Sequence, residues 1–85
     1  MIAEAGLKVE VQLFGRYREL ADGASIALEL PAGATVADLV GELHRRSPGR
    51  LPARPVVVVE RRPAAYDVAL EAGHEIALIP PVAGG

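Results

Sequence analysis

An α+β domain, with one helix laid across a mixed sheet, is what this sequence predicts, and three observations predict it. Residues 7–13 and 25–30 alternate apolar and polar side chains, the mark of strands with one buried face. From Thr35 to Ser47 the period lengthens, and Val36, Leu39, Val40 and Leu43 fall on one helical stripe. Two further strand-like runs follow at residues 56–60 and 75–79, apolar but for Glu60 and Glu75 and separated by turn residues. The order is strand, strand, helix, strand, short segment, strand, and no internal repeat is visible.

In the first strand Leu7, Val9, Val11 and Leu13 face one way and Lys8, Glu10 and Gln12 the other. Gly15 ends it. Residues 16–22 are polar apart from Tyr17 and Leu20 and read as a loop, closed by Ala21-Asp22-Gly23. Ile26, Leu28 and Leu30 point inward from the second strand, which makes the pair a long-looped antiparallel hairpin. Pro31-Ala32-Gly33-Ala34 breaks that strand. Thr35 can cap the helix, with Asp38 three residues on as a relative of the capping box. His44, Arg45 and Arg46 suit the negative end of the helix dipole, and Ser47-Pro48-Gly49 stops the helix. Gly41 in mid-helix costs about 1 kcal/mol relative to Ala, which close packing on the sheet would explain. Residues 48–55 form a Pro-rich crossing loop. The β-branched run 56–60 reads as a strand buried on both faces or covered by a partner. Arg61-Arg62-Pro63 is a turn, 64–70 an irregular return, 71–74 another turn and 75–79 the last strand.

With 85 residues the chain has room for one domain. Its hydrophobic half is aliphatic, with one Phe and two Tyr, and is ample to fill a small core, which excludes disorder. Cysteine is absent, so disulfides, thiolate metal sites and thiol catalysis are absent too. The apolar runs 56–59 and 76–82 fall far short of the roughly 20 residues that span a bilayer. Acidic Glu4 and the lack of a basic-then-apolar start give no secretion signal. The expectation is a cytoplasmic protein with no membrane partner. A net charge of −2 offers no basic face to nucleic acid. Lys8 is the sole lysine, so a modifier building chains on itself would have one site.

The chain ends Ile79-Pro80-Pro81-Val82-Ala83-Gly84-Gly85. Diproline after a strand keeps the backbone extended and withholds ladder bonds. Gly-Gly has no Cβ and can enter a narrow channel at backbone angles closed to other residues. Six residues from Pro80 span at most about 20 Å, enough to reach a partner's buried active site. The expected division is a domain over 1–79, loose over 1–6, and a tail over 80–85. A frayed terminus is the bland alternative.

Three segments carry a resemblance: Phe14-Gly15-x-x-Arg18-Glu19-Leu20, Leu30-Pro31-x-Gly33-x-Thr35-Val36-x-x-Leu39, and Ala77 to Gly85. From Leu7 onward the chain resembles the MoaD/ThiS ubiquitin-like sulfur carriers, and most closely their MoaD branch, the small subunits of molybdopterin synthase. Pro80-Pro81 favours that branch over the thiamine-pathway carriers. Glu60-Arg61 stands where relatives usually have an Asn-Gly-type turn, and His74 where Asp is common, which leaves the hairpin over 60–66 open.

The resemblance implies a β-grasp fold and a carrier that is no enzyme on its own. It implies that an E1-like, MoeB-like adenylating enzyme activates the Gly85 carboxylate with ATP and magnesium, and that a thiocarboxylate follows. The loaded tail, with Gly84 at its tip, would then give sulfur to a cyclic pyranopterin phosphate held by a large, MoaE-like synthase subunit. Carriers for thiazole, cysteine or tRNA thiolation, and ubiquitin-like modifiers, remain open alternatives. A β-grasp binding module with an incidental tail is a third.

Strand parity adds a docking face. With Ile76 and Leu78 inward, Ala77 and Ile79 face out; with Val57 and Val59 inward, Val56 and Val58 lie beside them, making an apolar patch at the tail root. A parity slipped by one would instead put the same residues in the core. Partner contacts are thus expected at Pro80, Pro81, Val82, Ala83, Ile79, Ala77 and Val58. His44 and His74 have no converging ligands and read as exposed or capping, so no metal site is expected. Ser25 and Ser47 lack a nucleophile's setting, and no phosphate loop is present. Arg16, Arg18, Arg61 and Arg62 read either as solvated charges or as contacts to an acidic partner.

Overall fold

Alternation in the strands and the helical stripe resolve into one sheet under one helix. The computed structural model describes residues 6–21 and 23–80. Strands β1 (Leu7–Leu13), β2 (Ser25–Leu30), β3 (Val56–Val59), β4 (Arg62–Pro63) and β5 (Ile76–Ile79) lie side by side in the order β2-β1-β5-β3-β4. Among the described residues β1 with β5 is the one parallel pair, and the other three are antiparallel. Helix α1 (Val36–Arg46) covers one face, and the whole is the mixed-sheet β-grasp fold that the sequence motifs imply.

Leu7, Val9, Val11 and Leu13 of β1 are all buried, as are Leu28 and Leu30 of β2. The register sets Val11 beside Ile76 and Leu13 beside Leu78, and these in turn face Val59 and Val57. Val36, Leu39, Val40 and Leu43 close the core from the helix side, joined by Leu70. Ile26, expected in the core, is only half-buried and packs against its edge. Tyr17, Ala34 and Leu51 are buried in addition. Tyr17 reaches the interior because residues Gly15–Leu20 form a 3₁₀ helix where the sequence reads as an open loop.

Thr35 caps α1 with a complete capping box: its hydroxyl accepts from the Asp38 N–H, and the Asp38 carboxylate accepts from the Thr35 N–H at 2.9 Å. The next two orphan amides do not meet solvent. Val36 N–H donates to the Val68 carbonyl at 3.0 Å and Ala37 N–H to the Tyr66 carbonyl at 2.9 Å. The irregular return over 64–70 is therefore a strap across the helix N-terminus. Tyr66 pins it, donating its hydroxyl to the Pro55 carbonyl under the Arg54 guanidinium, which stacks 4.2 Å from the ring centroid.

Three expectations are corrected. Gly41 is exposed, with nothing within 4 Å of where a Cβ would stand, so sheet packing does not explain it. The run at 56–60 ends at Val59 and is buried on one face only, with Val56 48% exposed. And 61–63 is not a separate turn: Val59 pairs with Arg62 around a two-residue turn, Glu60-Arg61, both residues at positive φ (53° and 71°). That turn geometry usually takes Asn-Gly. Here Glu60 is held from outside, since its N–H donates to the Glu75 carbonyl at 2.8 Å and its carboxylate accepts from the Glu75 N–H. Among the described residues no helix is long and apolar enough to cross a membrane.

Candidate functional site

Side chains that do not face α1 face away from it, and on β5 and neighbouring β3 these are apolar. One row across the outer face runs Gln12, Ala77, Val58 and Pro63, each paired with the next across β1, β5, β3 and β4. Ile79 stands two pairs further along, on the same face and opposite Val56. Ala77, Ile79 and Val58 are half-buried and line one groove of about 220 Å³ with Gln12, Phe14, Arg61 and Glu75. The strand parity read from the sequence thus holds at all three positions.

The rim is charged and paired. Arg61 Nε lies 3.5 Å from a Glu75 carboxylate oxygen, with both side chains largely exposed. Exposed pairs of this kind contribute about 0–1 kcal/mol and serve orientation more than stability. The groove floor is therefore apolar and its rim carries both signs, an arrangement suited to an apolar anchor from a partner.

Phe14, 40% exposed, completes the groove, a contact the sequence reading does not assign to it. The signal was present: alternation through β1 puts it on the same side as Gln12. The missing step was the parallel β1–β5 register, in which Leu13 pairs with Leu78, so that Phe14 comes beside Ile79.

Pro80 is half-buried at the point where the chain leaves β5. It sits over Gly15, the residue after Phe14, so closely that a Cβ on Gly15 would stand 2.9 Å from the proline Cγ. Gly15 has φ +57° and turns β1 into the 3₁₀ helix. Pro81, Val82, Ala83, Gly84 and Gly85, the rest of the expected tail contacts and both glycines of its tip, lie outside the described residues.

The other candidates are accounted for locally. His44 Nε2 lies 3.4 Å from the Ala53 carbonyl and His74 Nδ1 accepts from the Glu71 N–H, closing the 71–74 turn. Among the described residues no three His, Asp or Glu side chains gather as a metal site would need. Ser25 donates to a Glu10 carboxylate oxygen at 3.0 Å. Arg18 Nε donates to the Leu13 carbonyl at 3.4 Å, bracing the end of β1.

Comparison with known proteins places this geometry. The model described as ThiS family matches residues 11–85. The molybdopterin synthase sulfur carrier subunit of Arabidopsis thaliana is 29% identical over 83 residues, covering 95% of this chain and 86% of the relative. Among solved structures, small archaeal modifier protein 1 of Haloferax volcanii superposes with TM-score 0.75 at 30% identity, over 91% of this chain and 100% of that one. A Pyrococcus furiosus protein assigned as molybdopterin converting factor subunit 1 gives TM-score 0.72 at 32% identity, over 89% and 99%. With its motifs, its β-grasp sheet and a family match running through the final glycine, the chain belongs to the ThiS family of ubiquitin-like carriers.

Proposed function

We propose that the protein is the sulfur-carrying small subunit of a molybdopterin synthase, and that its reactive group is the α-carboxylate of Gly85. A free α-carboxylate, with an ordinary pKa near 3.5, is an anion at neutral pH and a poor electrophile. Attack of that carboxylate on the α-phosphate of ATP, in an adenylating enzyme that supplies the nucleotide and magnesium, releases pyrophosphate and leaves an acyl-adenylate. Hydrosulfide supplied by a sulfur donor then attacks the acyl carbon and displaces AMP, and the product is a thiocarboxylate with a soft, nucleophilic sulfur. Two loaded carriers in turn would convert a cyclic pyranopterin phosphate on the large subunit into a dithiolene. The carrier itself contributes reach and docking and performs no bond-making step with its side chains.

The observation that carries this reading is the apolar groove of Phe14, Val58, Ala77 and Ile79 at the root of a Pro-Pro-Val-Ala-Gly-Gly end. The likeness to the Arabidopsis sulfur carrier subunit supports the pathway. One groove would serve the adenylating enzyme and the large subunit in succession, each threading the tail into its own site.

The test is deletion of Gly85. It moves the reacting carbon back by about 3.5 Å, while near-attack chemistry loses about a hundredfold for a 1 Å error. Loading and dithiolene formation should vanish, with stability and docking unchanged. Full activity of the shortened chain would remove the tail mechanism.

A second reading, a ubiquitin-like modifier, is favoured by the 30% identity to the Haloferax modifier. It uses the same acyl-adenylate but ends in an amide to a lysine amine. Recovery of the Gly85 acyl group on ε-amines, in place of sulfur transfer to pterin, would select it.

A further inference from the structure

Gly15 and Pro80 approach as closely as they do because one of them lacks a side chain. A Cβ at Gly15 would lie 2.9 Å from Pro80 Cγ and 3.9 Å from Cδ. Ordinary contact begins near 3.4 Å, so an alanine there demands a displacement of several tenths of an ångström. The atom in the way belongs to a proline ring closed onto the backbone nitrogen, so its travel is limited to a change of ring pucker and any larger displacement moves the main chain. Gly15 is meanwhile held in place. The Leu13 N–H donates to the Ala24 carbonyl at 2.7 Å, Arg18 Nε returns to the Leu13 carbonyl, and Tyr17 is anchored in the core. Between a fixed Gly15 and a tail root, the tail root is what yields.

We propose that Gly15 is a positioning residue for the carrier's C-terminus: its missing side chain forms the seat that fixes the position and heading of the chain at Pro80, and so where the Gly85 carboxylate arrives in a partner's active site. This rests on the carrier reading above. It assigns to the end of β1, far from Gly85 in sequence, control over the placement of the reacting carbon.

Four other glycines separate this effect from simple backbone strain. Gly23, Gly33, Gly49 and Gly73 also have positive φ, but among the described residues a Cβ at any of them would meet nothing within 4 Å. Gly49→Ala therefore carries a left-handed alanine without the push on Pro80. Pro80→Ala removes the ring atoms, so the double variant Gly15→Ala/Pro80→Ala keeps the strain and loses the collision.

The experiment uses the full chain with an adenylating enzyme and ATP, reading adenylation kinetics, thermal unfolding and affinity for that enzyme. Alongside, a spin label on Ala27→Cys, an exposed outer-face position in a chain with no native cysteine, reads paramagnetic broadening of the residue 82–85 amides. Gly15→Ala should change the broadening pattern and lower kcat by about ten- to a hundredfold, the scale of a sub-ångström to 1 Å misplacement. KM should change less than threefold, since the groove is intact. Gly49→Ala should lower the melting temperature while leaving broadening and kcat as in the parent. The double variant should match Pro80→Ala alone. Unchanged broadening or unchanged kcat in Gly15→Ala would overturn the inference, as would a kcat loss that Pro80→Ala fails to absorb. If the unsubstituted chain takes no adenylate at all, the carrier reading falls and takes the kinetic part of this inference with it. Altered broadening relieved by Pro80→Ala would then identify a seat without a reaction.

Discussion

Gly41 occupies the exposed side of α1 with no steric reason to be glycine. Its backbone is helical, and an added methyl would meet open space. Gly41→Ala should therefore raise stability by about 0.5–1 kcal/mol, through lower unfolded-state entropy and better helix propensity. Denaturant unfolding checks this, and a loss of stability would mean that an unseen contact needs the gap. Residue types alone could not show which of Gly41 and Gly15 is packed against another part of the chain, because a sequence does not say what stands opposite a glycine. The difference is what stands opposite each: solvent for Gly41, the Pro80 ring for Gly15. Tyr17 was illegible for a related reason. One aromatic among charges looks like a loop residue until the 3₁₀ turn aims it inward.

Elements with a sustained period were legible almost to the residue. The helix begins after Thr35 and ends before Ser47 because capping box, stripe and Ser-Pro-Gly stop all agree. On its exposed side Glu42 accepts from Arg46 and Arg45, and these hydrogen bonds, Arg46's foremost, hold its carboxyl below the usual glutamate range. The buried stripe carries the energetic weight. Leu39 is fully buried, so Leu39→Ala should cost about 2–4 kcal/mol, and a loss under about 0.5 kcal/mol would mean that the helix does not pack as described. The short pieces were not legible. β4 has two residues and the 64–70 strap has no strand or helix of its own, so neither offers a period to read. Their shape comes from distant partners: the helix N-terminal amides for the strap, and Glu75 for the Glu60-Arg61 turn.

At the scale of the whole molecule, one sheet separates two tasks, a dry face under α1 and an outer face with an apolar groove. Parity of β3 and β5 told these faces apart in the sequence; the part played by Phe14 had to await the parallel β1–β5 pairing. Ile79→Asp tests the division. With Ile79 on the outer face, the free protein should fold with little change in melting temperature. Affinity for the large synthase subunit should fall by about 2 kcal/mol or more, as for a charge buried at an interface hot spot. Unfolding of the free variant would place Ile79 in the core instead. The chemistry lies at the end of the chain, and intact mass after incubation with an adenylating enzyme, ATP and a sulfur donor reads it there. The whole protein should gain the difference between one sulfur and one oxygen, fragmentation should confine the gain to Gly85, and the chain lacking Gly85 should show none. A carrier whose mass does not change under conditions that load an authentic sulfur carrier, or a sulfur found anywhere but Gly85, would contradict that chemistry.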